Sequence, residues 1–79
     1  MASLEDYRFV VLHSVERARR NAESLTGGDA YNQGRRMAYF EILERILESA
    51  ETVGLTAADV GMEGFDPGQL IGLQSARAA

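Results

Sequence analysis

Between Arg35 and Val53 the chain carries no glycine or proline, and its apolar residues do not keep to one side. At 100° per residue, Ala38, Tyr39, Phe40, Ile42, Leu43, Ile46, Leu47, Ala50 and Val53 spread over roughly 200° of a helical circumference. A helix that is greasy over so wide an arc needs more than one neighbour. This requirement constrains the fold more than any other feature of the sequence.

The first neighbour is supplied upstream. Ser3-Leu4-Glu5-Asp6 has a capping hydroxyl followed three residues later by an acid, which predicts a helix start. Glu5 and Asp6 also lie where the helix dipole favours negative charge. The helix is expected to run to about Leu25, where Thr26-Gly27-Gly28-Asp29 breaks it. Leu4, Tyr7, Val11, Val15, Ala18, Ala22 and Leu25 fall within roughly 80° of arc, a seam wide enough for one partner. Phe9, Val10 and Leu12 add apolar surface outside it. The second helix is expected from about Ala30 to Val53, capped by Asp29 or Asn32 and stopped by Gly54. Two helices joined by so short a connection fold back as an antiparallel hairpin, each arm about 35 Å long.

The last third carries two more start signals. Thr56-Ala57-Ala58-Asp59 is a capping box. Asp66 with Pro67 and Gln69 is another, and two short helical turns are predicted near 57–61 and 67–73. Leu55, Val60, Met62, Phe65, Leu70, Ile71 and Leu73 give this segment apolar material of its own. The surplus face of the second helix thus has two covers available, this segment or a second copy of the chain. Phe9, Leu12, Phe40, Leu43 and Leu47 are the residues assigned to that dimer or tail packing. Short chains often need oligomerisation to bury enough surface. The expectation is therefore an all-α fold: an antiparallel two-helix hairpin plus one or two short C-terminal helical turns, dimerising into a four-helix bundle. Residues 1–73 form a single helical domain and 74–79 a frayed tail.

Charge divides the surface into two poles. Glu41, Glu44, Glu48 and Glu51 follow spacings of three and four on one stripe of the second helix. Like charges at these spacings repel, and the last two sit near a C-terminus that disfavours them. A solvated polar face is the plain explanation. The functional one is an acidic strip for a basic partner, with Arg45 at its edge able to pair with Glu41. At the other end, the hairpin gathers Arg17, Arg19, Arg20, Arg35 and Arg36 around the Gly-Gly connection. Such a cluster suits phosphate or carboxylate, and pairing with Glu16, Glu23 and Asp29 is its structural counterpart.

Other chemistries lack their residues. There is no cysteine, and His13 is the single histidine. Gly27-Gly28 has neither the spacing nor the lysine of a phosphate loop. The outward glutamates do not form a carboxylate metal box, so neither a metal nor another cofactor is expected. No base stands near a nucleophile in any catalytic pattern. Phe9-Val10-Val11-Leu12 is the longest unbroken apolar run and falls far short of a membrane span. With no basic-then-apolar leader, a cytoplasmic setting is expected. A set of cations that is all arginine, eight residues, points to a GC-rich and hence bacterial gene. A net charge of −4 argues against non-specific nucleic-acid binding. The functional expectation is a small non-enzymatic bacterial interaction module, of the immunity, antitoxin or phage-inhibitor or adaptor kind, binding a protein through its acidic helix face. The alternative is anion or nucleic-acid binding at the arginine cluster.

Overall fold

Ser3 starts the first helix by a reciprocal pair of bonds. Its hydroxyl accepts from the Asp6 N–H at 3.2 Å, and the Asp6 carboxylate accepts from the Ser3 N–H at 2.8 Å. The Ser3 N–H, which no helical carbonyl can reach, is satisfied in this way, and the Asp6 N–H gains an acceptor besides the Ser3 carbonyl at 3.1 Å. In the computed structural model, which describes residues 1–73, helix α1 then spans Leu4–Glu23. It ends short of Leu25 because the Leu25 N–H turns back to the Ala22 carbonyl and tightens the last turn. The expected frayed segment 74–79 lies outside the described residues.

Helix α2 spans Ala30–Thr52. Asp29 is its cap, accepting from the Asn32 N–H at 2.8 Å, so Asn32 lies inside the first turn. Arg36 ties the connection to the helix. Its Nη1 donates to the carbonyls of Leu25 at 2.6 Å and Gly27 at 2.9 Å. The far end closes at Gly54, whose φ of +83° is open to glycine at little cost. There the Leu55 N–H reaches the Ala50 carbonyl at 2.9 Å and the Gly54 N–H reaches Glu51 at 3.1 Å, and the chain turns back.

Two short 3-10 turns follow, at Ala58–Val60 and Pro67–Ile71. Thr56 and Asp59 make the reciprocal bonds expected of them, at 2.8 and 3.3 Å. Asp66 caps the second turn through the Gly68 N–H. The described residues are thus all helix, turn and loop, an α-hairpin with a folded C-terminal segment.

That segment supplies much of the core. Val15, Leu43, Leu47, Ala50, Val60, Met62 and Phe65 form the buried cluster, and Ala18, Ile46, Ala57 and Leu70 pack on its edge. Leu43 and Leu47 are 0% and 1% exposed within a single chain. Of the residues assigned to dimer or tail packing, these two belong to the tail. Phe40 is half-buried, and Leu12 is half-buried over Gly61. Phe9 is exposed and stacks on His13 at 5.3 Å between ring centroids.

The α1 seam needs correction. Ala22, Ala18 and Val15 are buried or half-buried, but Val11, Tyr7 and Leu4 are 39%, 61% and 85% exposed. An antiparallel hairpin would set Val11 and Tyr7 against the later turns of α2. Leu47 lies in those turns and is already sealed in the cluster with Val60, Met62 and Phe65. The C-terminal segment, touching both helices, occupies the place that the N-terminal half of α1 was expected to fill.

Candidate functional site

The arginine pole is bound up with the fold. Arg19 extends away from the connection, donating to the Gly61 carbonyl at 2.9 Å, with its guanidinium 4.3 Å from the centre of the Phe65 ring. A charged donor and a cation–π contact together fasten the C-terminal segment to α1. Arg36 holds the Leu25 and Gly27 carbonyls. Arg20 pairs with Glu16 at 2.6 Å, one turn back, on an exposed face. Arg35 lies 5.7 Å from the Tyr31 ring centre. Arg17 is exposed and makes no hydrogen bond or ion pair among the described residues. An anion at this pole would compete with backbone carbonyls for Arg19 and Arg36, and Arg17 and Arg35 are the guanidinium groups nearest to free.

The acidic stripe is presented outward. Glu41, Glu48 and Glu51 are exposed and Glu44 is half-buried. The carboxylates of Glu41 and Glu48 have no hydrogen bond or ion pair among the described residues. Arg45 stands one turn from Glu41 and makes no bridge to it. The pairing open to Arg45 and Glu41 is therefore not made among the described residues.

Two apolar surfaces remain open. One is a groove of about 310 Å³ lined by Tyr7, Arg8, Val11, Leu55, Asp59 and Val60. It lies where the N-terminal half of α1 stands clear of the core. The N–H and hydroxyl of Thr56 hold the Asp59 carboxyl below the usual carboxylate range, with a lesser contribution from Arg8. A carboxyl depressed in the folded state stabilises the fold above its ordinary range. That contribution is lost as the pH falls through the lowered value.

The other surface runs along the outer flank of α2. Tyr31, Ile42 and Val53 are 74%, 58% and 72% exposed. Ala38 is exposed between the first two, and a shallow depression of about 220 Å³ is lined by Arg35, Ala38, Tyr39 and Ile42. Ile42 and Val53 belong to the wide apolar arc read from the sequence, but the arc gave no sign of which part the tail would leave bare. The missed signal is a spacing: Tyr31, Ile42 and Val53 recur every eleven residues. That interval advances only about 20° around a helix, so the three stand nearly in line.

Among the described residues, no group of three His, Asp or Glu side chains is placed to hold a metal ion, and no helix is long and apolar enough to cross a membrane. No family model, curated protein or solved structure matches the chain.

Proposed function

We propose that the protein is a non-catalytic, homodimeric interaction module that binds a protein of basic surface through the ridge of Glu41, Glu44, Glu48 and Glu51. The observation that carries this reading is the state of the ridge. Four acids at three- and four-residue spacings repel one another by a few tenths of a kcal/mol per pair. Arg45 does not relieve Glu41, and the Glu48 carboxylate is exposed without an intramolecular partner among the described residues. A cationic surface docked along α2 would turn that repulsion into attraction and steer the encounter over a Debye length of about 8–10 Å.

The test reverses charge at the C-terminal end of the ridge. Immobilised wild type is expected to capture a defined set of basic-surfaced proteins from a bacterial lysate at about 50 mM salt and to release them at about 300 mM. Glu48→Arg with Glu51→Arg should lose that set while keeping the wild-type helical circular dichroism, since both side chains are exposed. Capture of the same proteins by the reversed variant would remove the ridge from function.

A further inference from the structure

We propose that the open flank of α2 is the homodimer interface, two α2 helices pairing antiparallel about a twofold axis at Ile42. The inference rests on the homodimeric reading above and names its surface. With the C-terminal segment spent on Leu43 and Leu47, the open flank of α2 and its C-cap keeps Tyr31, Ala38, Ile42 and Val53, while the exposed Met37 lies about 140° away from Ile42 around the helix. They lie within roughly 60° of arc at 100° per residue, the width of a two-helix seam.

The register follows from the spacing. Tyr31 and Val53 stand eleven residues before and after Ile42. In an antiparallel pair crossing at Ile42, each Tyr31 ring meets the partner's Val53, and Ile42 meets the partner's Ile42. Arg35 falls opposite the partner's Ser49, so no like charges face each other on the seam. A parallel pair would set Tyr31 on the partner's Tyr31 and bring the two Arg35 guanidinium groups together.

Charge on the rim selects the same arrangement. Arg45 and Glu41 flank the seam on one side, and neither has an ion pair within its own chain among the described residues. Antiparallel pairing brings Arg45 to the partner's Glu41, offset by two residues or about 3 Å along the axis, and the twofold repeats the contact. The twofold axis runs perpendicular to the plane of the two helices. It therefore puts Glu41 and Glu48 of both copies on the same side of the dimer and widens the acidic surface. The competing apolar groove beside Tyr7 and Val11 has no such self-complementary register.

The chain contains no cysteine, so introduced thiols report the pairing without background. Under mild oxidation at about 100 µM, Ile42→Cys should form a disulfide-linked dimer. Tyr31→Cys and Val53→Cys should each remain largely unlinked alone, because like positions lie about 33 Å apart in the antiparallel pair. Mixed together they should cross-link. Arg45→Glu should weaken dimerisation about tenfold by sedimentation, and Arg45→Glu with Glu41→Arg should restore it. All of these positions are exposed, and retained helicity by circular dichroism confirms folding. A monomeric mass for the wild type at about 100 µM, or Tyr31→Cys and Val53→Cys each linking to themselves, would overturn the proposal. Neither outcome bears on capture by the ridge at Glu48 and Glu51, so the two readings fail separately.

Discussion

A chain shortened to residues 1–54 will lose its cooperative unfolding transition. Such a fragment keeps the sequences of both helices, but Val60, Met62 and Phe65 are gone from the core cluster, and Arg19 loses both the Gly61 carbonyl and the Phe65 ring. Helices in proteins draw most of their stability from the tertiary packing of their apolar face, not from propensity. Leu43 and Leu47 would stand in solvent over the width that the C-terminal segment now seals. At low micromolar concentration the fragment is expected to show reduced helicity and a broad thermal transition, or to associate through the bared leucines. A monomeric fragment with full helicity and a sharp melt would contradict the role assigned to residues 55–73.

Adjacent residues on α2 will respond to truncation in opposite ways. Leu43→Ala is expected to cost about 2–5 kcal/mol, the range for large-to-small changes in a closed core. Leu43 is fully buried and meets side chains from α1 and from the C-terminal segment, neither of which can collapse into the gap without dragging a helix or a turn with it. Ile42→Ala, one position earlier, is expected to change stability by about 0.5 kcal/mol or less in a sample dilute enough to be monomeric. Its side chain already meets water in the folded chain, so removing it forfeits little burial. Denaturant titration of the two variants checks this directly. Equal losses would mean that the flank and the core are not distinguished as described.

The parts of this fold that were legible in the sequence are those fixed within one turn of chain. Ser3, Thr56 and Asp66 bond where their short polar side chains and the following apolar residues said they would, and of the two caps open to α2 it is Asp29 that serves. Gly54 stops α2 for a local reason, the backbone angle its position requires. The width of the apolar arc on α2 was also readable, and with it the need for a second cover. The division of that arc was not. Periodicity places Ile42, Leu43 and Leu47 on one broad face and is silent on which part a distant segment will choose. The choice depends on where Gly61 and Met62 bring the chain after two reversals.

The same limit explains the α1 seam. Val11 and Tyr7 have the spacing of a contact face, and the spacing is unaltered by the arrival of a segment some fifty residues later. Arg19 is drawn to the C-terminal segment for a related reason. Helix geometry puts five guanidinium groups near one connection, but Arg19 has a long, flexible stem and finds an unpaired carbonyl forty-two residues away. A part-buried carbonyl in need of a donor attracts one, and nothing in the local sequence advertises it. The acidic ridge was the more legible candidate, since its residues are presented outward by the same helix that spaces them.

The three methionines offer the most direct test of the account, because they sample it without substitution. Met1 and Met37 are exposed, and Met62, carried by the C-terminal segment, is fully buried in the cluster with Leu43 and Leu47. Peroxide oxidation of a folded sample, followed residue by residue by mass spectrometry, reads the accessibility of each thioether. Met1 and Met37 should oxidise together, with Met62 at least about tenfold slower and released only as the chain unfolds. Oxidation of Met62 in step with Met37 under native conditions would show that the segment does not lie over α2, and the account built on that contact would fall.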